Sequence, residues 1–301
     1  MNAPDPREQR MGFVSVCGAY ALWGFLPIYL KLIGFADARE VLGQRILWCV
    51  PAALLAALVM NGAGKAFGEI RAAMRPKMLG VLCLSALFIF ANWACYVWLV
   101  LESRVIEASL AYFLAPLVSV GIGVLVFRER ITGAQTVALG LAGCGVIVQG
   151  FAMGAPPWIS LFICATWSSY AFIRKLAPVS SSTGLFIESL VLTPVAIGLL
   201  FWVSRDGMIT FTAGADNAIL LALAGPATAA PLVLFTIGAR RVSFTSLGLM
   251  QYFAPTLQFF IALAYGESFT PLRAASFAFI WLGLVLFSWD MIKRARIAKQ
   301  V

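Results

Sequence analysis

The chain has 301 residues, 61% of them apolar and 12% charged, with a mean hydropathy of +0.92. A soluble domain averages about 45–50% apolar and about 25% charged residues, so one aqueous core cannot hide this much apolar surface and the bilayer must be part of the solvent. The net charge of +9 invites a nucleic-acid partner, but the placement of the cations along the chain argues for a membrane instead.

The first ten residues, MNAPDPREQR, are polar. No short apolar stretch with a small-residue cleavage site precedes the first apolar run, so no signal peptide is expected. A spanning helix needs about 20 mostly apolar residues. Ten such stretches follow in order, at 11–33, 41–60, 78–101, 106–127, 132–152, 156–176, 183–204, 217–239, 243–265 and 271–292. The runs are continuous rather than alternating, which predicts helices and not barrel strands. The expected fold is an all-α integral membrane protein of ten transmembrane helices. With the N-terminus in the cytoplasm, the inner segments hold Arg7, Arg10, Lys65, Arg71, Arg75, Lys77, Arg128, Arg130, Arg174, Lys175, Arg240, Arg241, Lys293, Arg294, Arg296 and Lys299. The outer segments hold Lys31, Arg39, Arg104, Arg205 and Arg273. This is the positive-inside bias of a bacterial inner-membrane protein with both termini cytoplasmic. Cys17, Cys49, Cys83, Cys95, Cys144 and Cys164 all fall within spans and have no metal-ligand spacing. They read as small buried apolar residues.

The chain repeats itself. Ala21-Leu22-Trp23 and Lys31-Leu32 recur as Ala165-Thr166-Trp167 and Lys175-Leu176, at an offset of 144. Pro51 matches Pro194 and Arg45 matches Glu188, at an offset of 143. Arg104-Val105 to Ser109-Leu110 recurs as Arg241-Val242 to Ser246-Leu247. Tyr112 to Pro116 echoes Tyr252 to Pro255 with a one-residue slip, and Glu129 to Thr132 echoes Glu267 to Thr270. The order of these matches predicts two five-helix units, 11–152 and 156–292. Five is odd, so the second unit enters the membrane from the opposite side. Inverted repeats are a recurrent plan of secondary transporters, with the substrate near the midplane between them.

Several motifs carry a resemblance. They are Gly18-Ala19-Tyr20-Ala21-Leu22-Trp23-Gly24 with Pro27 and Lys31-Leu32, Gln44-Arg45, Asn92-Trp93, Glu107-Ala108-Ser109-Leu110 with Tyr112-Phe113 and Pro116-Leu117, Gln251-Tyr252 with Pro255-Thr256, Gly266-Glu267, and Phe277-Ala278-Phe279-Ile280-Trp281. From about residue 11 to 292 the sequence resembles the drug/metabolite transporter superfamily, and within it the RarD-type members of the EamA group. The resemblance implies a ten-helix fold of two EamA-like halves. It also implies export or exchange of amino acids, other metabolites or drugs. It supplies the class and not the cargo.

Arg45 and Glu188 are the charges that lie clearly inside spans, and intramembrane ionisable groups are functional candidates. Each is about 7–9 Å into its own leaflet, counted at about 1.5 Å per residue. That leaves them about 13–15 Å apart in depth across a core of about 30 Å. Arg45 is therefore expected to reach Glu102 or Glu107, and Glu188 to reach Arg240 or Arg241, as two gating latches on opposite sides. Static anchoring by snorkelling is the alternative for these groups.

Trp23, Asn92, Trp93, Tyr96, Tyr112, Trp167, Gln251, Tyr252 and Gln258 lie near the midplane and are candidates for solute binding. Central rings can line a cavity or simply pack between helices. Packing suffices for any single ring. For Asn92 and Gln251 the cavity is the better reading, since an amide in hydrocarbon needs a partner. Pro27, Pro116 and Pro255 are candidate hinges, because each removes a backbone donor. Small-residue runs at Gly121 to Gly123, Gly140 to Gly145 and Gly283 could build a homodimer face or tighten the bundle.

No phosphate-binding loop, nucleophile triad or metal-ligand spacing is visible, so neither cofactor nor enzyme activity is expected. The leading function is a secondary transporter of small organic solutes, as exporter or exchanger. An importer of nucleosides or methylated cofactors and a membrane enzyme acting on lipid-linked substrates are the alternatives.

Overall fold

The computed structural model describes residues 6–115, 132–154, 156–239, 241 and 250–297, and among them every regular element is a helix. In chain order these are α1 (Pro6–Leu32), α2 (Ala38–Asn61), α3 (Ala63–Ala73), α4 (Pro76–Leu101), α5 (Val105–Ala115) and α6 (Gly133–Met153). They continue with α7 (Trp158–Leu176), α8 (Ser181–Arg205), α9 (Ala215–Ala222), α10 (Ala224–Ala239), α11 (Phe253–Ala264) and α12 (Pro271–Ile297). Seven stretches of the described residues are long and apolar enough to cross a membrane, with α9 and α10 acting as one. Helix α7 has 19 residues, but Ser160, Thr166, Ser168, Ser169 and Arg174 dilute its apolar character. The expected spans 106–127 and 243–265 lie partly outside the described residues. The chain is a multi-span helical membrane protein.

Helix α3 is an addition to the expected spans. It is too short and too polar to cross, and it buries Ala66 and Ala73 against its neighbours. Helix ends in a bilayer must be satisfied at the interface, because their free backbone groups find no water deeper in. Asp37 caps α2 by accepting from the Arg39 N–H at 2.8 Å. Ser180 caps α8 by accepting from the Thr183 N–H at 3.4 Å. Helix α6 opens with a reciprocal capping box between Thr132 and Gln135 and closes on Gly154 at φ 70°, a left-handed conformation that glycine adopts without a steric penalty.

The bundle is built on the crossing of α2 with α8. Gly43 on α2 meets Ala196 and Leu200 on α8, while Cys49 lies beside Ser189. The two helices therefore run antiparallel. Helix α1 packs on α10 and α11, α4 on α7, and α10 also on α2. Gly225 admits the backbone of Trp48, and Gly238 admits Val16 and the Gly12 carbonyl. Close backbone approach of this kind is how helices associate where lipid removes the hydrophobic drive.

Helices α6 and α12 form a second tight pair. Gly145 accommodates Ile280, and the Ser276 hydroxyl donates to the Gly145 carbonyl at 2.8 Å. Gly283 faces the Ala138 carbonyl. These glycines tighten the bundle, whereas Gly140 and Gly143 face open space. The pair joins the core through Phe277, whose ring lies 4.8 Å from Phe259 and 6.0 Å from Phe113. Leu55, Val59, Phe151, Phe201 and Val285 are strongly exposed, as side chains facing lipid should be.

Replacing Gly225 by alanine would press a methyl group into the Trp48 backbone, and overpacking of this kind costs about 1–3 kcal/mol. Gly64 on α3 faces open space. Thermal unfolding in detergent is expected to fall for Gly225→Ala and to hold or rise for Gly64→Ala. Equal behaviour of the two variants would contradict the packing of α2 on α10.

Candidate functional site

The α2–α8 crossing places the two buried charges on either side of Cys49, which lies within electrostatic reach of both Arg45 and Glu188. They do not pair with each other. Glu188 is fully buried. Its carboxylate accepts from the Ser85 hydroxyl at 2.5 Å and from the Tyr170 hydroxyl at 3.2 Å, and it faces Arg174 Nε at 3.5 Å. Arg174 also donates to the Ser180 carbonyl at 3.1 Å. Gly184 makes room for that guanidinium, since any β-carbon there would overlap it.

Arg45 is 5% exposed. Its Nε donates to the Thr228 hydroxyl at 2.9 Å, and its guanidinium lies over the Trp93 ring at 4.6 Å. Tyr29, Tyr96 and Tyr112 are its electrostatic neighbours. Nη1 is buried without a hydrogen-bond partner. Arg45 makes no ion pair among the described residues.

Aromatic rings join the two sites. Tyr96 and Tyr112 are 5.7 Å apart, Tyr112 and Trp167 5.9 Å, and Trp167 and Tyr170 5.8 Å. The seam thus runs from Arg45 past Tyr96 and Tyr112 to Trp167, Tyr170 and Glu188. Asn92 sits behind it, 1% exposed. Its amide donates to the Ile163 carbonyl at 2.9 Å and accepts from the Tyr112 hydroxyl at 3.1 Å. In this structure the polar groups of Asn92 tie α4 to α7 and position Tyr112.

Gln258 serves α1. Pro27 has no N–H to bond the Trp23 carbonyl one turn earlier, and Gln258 Nε2 donates to that carbonyl at 3.0 Å. Helix α1 stays continuous through Pro27. Gln258 Oε1 and the Tyr96 hydroxyl are buried near each other without a well-formed hydrogen bond. Trp23 lies apart from the seam, with Tyr20 and Phe235 at 5.5 and 6.0 Å. Tyr252 packs on the main core beside Gln251. Met250 is helical, Gln251 and Tyr252 form a turn, and helix resumes at Phe253. Pro255 thus lies in the first turn of α11, where a missing N–H breaks no helical bond, and the interruption sits just upstream. Pro116 and Arg240 lie outside the described residues.

Among the described residues, Arg45 forms no ion pair with Glu102 or Glu107. Glu107 binds Arg104 at 2.6 Å, Glu102 is exposed, and Arg241 donates to the Ile237 carbonyl at 2.7 Å. The cation at Glu188 comes from Arg174 on α7. Two other carboxylates bind segments far along the chain. Glu40, fully buried in the first turn of α2, accepts from the Thr210 N–H, the Thr210 hydroxyl and the Phe211 N–H at 2.7–3.0 Å. Glu69 on α3 accepts from the Ser180 and Thr183 hydroxyls at 2.5 and 3.0 Å. Burial raises the Glu69 carboxyl, but these bonds outweigh it and hold the group below its ordinary range. Glu40 and Thr183 are 143 residues apart, the same separation as Arg45 and Glu188. One clasp lies at the end of the bundle where α2 begins, the other where α8 begins.

Glu267 caps α5, accepting from the Val105 and Ile106 N–H groups at 2.6 and 2.9 Å. Beside it a recess of about 390 Å³ is lined by residues including Arg104, Glu107, Gln149 and Arg273. No group of three or more potential metal ligands occurs among the described residues.

Buried opposite charges on two crossed helices mark the candidate functional site of this polytopic membrane bundle. Residues 10–150 match the EamA-like transporter family. The chain is 40% identical to the protein RarD of Streptomyces exfoliatus, covering 96% of this chain and 91% of that one. It is 38% identical to an uncharacterized transporter of Pseudomonas aeruginosa, over 95% of this chain and 96% of that one. A solved crystal structure superposes with a TM-score of 0.61 at 17% identity, covering 92% of this chain and 97% of the other, a likeness of fold. The chain belongs to the EamA family, among its RarD-type members, and is a membrane transporter of the drug/metabolite type.

Removing one partner of a buried ion pair leaves the other charge uncompensated and costs about 3–5 kcal/mol. Arg174→Gln is expected to lower thermal stability by that order. The double variant Arg174→Gln/Glu188→Gln should recover much of the loss. An unchanged melting temperature for Arg174→Gln would show that Glu188 does not depend on that cation.

Proposed function

We propose that the protein moves small organic solutes across a bacterial inner membrane by alternating access, as an exporter or exchanger. Residues 11–152 and 156–292 act as inverted five-helix halves, with both termini in the cytoplasm. The supporting observation is the reciprocity of the packing. Helix α1 of the first half lies on α10 of the second, and α7 of the second lies on α4 of the first. The equivalent helices α2 and α8 cross each other, as do α6 and α12. A two-fold axis in the membrane plane generates this pattern, and the exchange of two mirror-related states follows from it.

The two clasps are the closures of this cycle. Each ties the first turn of the second spanning helix of one half to the segment that follows that helix in the other half. One opens while the other holds. The turn at Gln251–Tyr252 is the pivot, and the aromatic seam between Arg45 and Glu188 is the wall of the solute path. Glu188 is ion-paired and hydrogen-bonded, which favours a fixed structural charge over a proton carrier. Facilitated exchange therefore fits better than proton coupling.

Flux into liposomes carrying the purified protein tests the proposal. A panel of amino acids, nucleosides and amphenicol drugs should contain at least one class with saturable, protein-dependent flux and counterflow. Absence of saturable flux across all three classes would overturn these classes as its cargo.

A further inference from the structure

Arg45 carries a buried charge whose coordination is incomplete. A guanidinium presents five N–H donors and stays protonated in proteins. Here Nε uses the Thr228 hydroxyl, the cation rests on Trp93, and Nη1 is buried with no acceptor. A ring face and one neutral hydroxyl return only part of the hydration that burial removes.

Its repeat counterpart gives the contrast. Glu188 has an opposite charge at 3.5 Å and two hydroxyl donors. Arg174 also has an idle Nη1, but its charge is met by Glu188. Glu107 has Arg104 at 2.6 Å. Arg45 faces no anion among the described residues; beyond the Thr228 hydroxyl and Cys49, its neighbours are the rings of Trp93, Tyr29, Tyr96 and Tyr112.

We propose that Arg45 binds the carboxylate of the transported solute, and that the solute is a monoanion with a flat apolar body. One uncompensated positive charge matches one negative charge, so a monocarboxylate neutralises the site where a phosphate dianion would leave it overcharged. Arginine holds a carboxylate with directed N–H donors. The Tyr96 hydroxyl, buried beside Gln258 without a well-formed hydrogen bond, can donate to the same group. The rings of Trp93, Tyr96 and Tyr112 supply faces for the apolar body. This deepens the transport reading and rests on the seam being the solute path.

Binding is tested apart from flux. The full chain is placed in nanodiscs of zwitterionic phosphatidylcholine, which carry no net anionic lipid to occupy the site. Phenylacetate, 2-phenylethanol and phenethylamine are titrated by calorimetry, and the same three are assayed for flux in liposomes. Phenylacetate should bind saturably and at least tenfold more tightly than the other two. Arg45→Gln should lower its affinity at least tenfold, and Arg45→Lys should retain part of it. Without solute, Arg45→Gln should melt no lower than the wild type, because it removes an unpaired buried charge. A fixed cation–π anchor would instead melt lower.

Phenylacetate binding no tighter than 2-phenylethanol, or unchanged in Arg45→Gln, would overturn the anion site. Flux of the neutral or cationic compound without preference for the anion would overturn it while leaving transport intact. Tight binding lost in Arg45→Gln, with no flux of any compound, would retain the anion site and remove transport.

Discussion

The antiparallel crossing of α2 and α8 is the constraint on which the rest of the bundle depends. It needs small residues where the backbones approach, and Gly43, Ala196, Cys49 and Ser189 supply them. It puts Arg45 and Glu188 on opposite sides of Cys49, each too far from the other to neutralise it. It also sends the first turn of each helix to opposite ends of the bundle. Both clasps, Glu40 at Thr210 and Glu69 at Ser180, follow from that placement.

Polar groups inside hydrocarbon have to find partners within the protein, and most here do so across helices. Gln258 takes the carbonyl that Pro27 leaves free, and Asn92 ties α4 to α7 through Ile163. These bonds fix the scaffold. Arg45, Tyr96 and Gln258 each keep a buried polar atom without a partner, and all three lie along one seam. Buried polar atoms without partners are the reverse of what stability alone would select, which is the ground for the proposed solute site at Arg45.

Much of the fold was legible in the sequence because its signals are local. Continuous apolar runs mark the spans, and the offset of 143 links Arg45 to Glu188 whatever the tertiary structure. The two charges stood out because ionised groups are rare in such surroundings. Their partners were not legible. Arg174 read as one more cation of the positive-inside bias, and its reach to Glu188 depends on Gly184 leaving space on α8. Glu40 and Glu69 fell in connecting segments, where a carboxylate is unremarkable. The role of Gln258 required knowing that α11 packs on α1, a contact between residues far apart in sequence.

The central claim is that two inverted halves open one end of the bundle as they close the other. Spin labels at Phe35→Cys and Met208→Cys report the end held by Glu40, and labels at Phe67→Cys and Pro178→Cys report the end held by Glu69; all four positions are exposed. Pulsed dipolar distances for both pairs, in a background without the native cysteines and with and without a transported solute, test it directly. The account predicts distances that change in opposite senses, one pair separating by several ångströms as the other approaches. Distances that stay fixed at both ends, or that lengthen and shorten together, would contradict it.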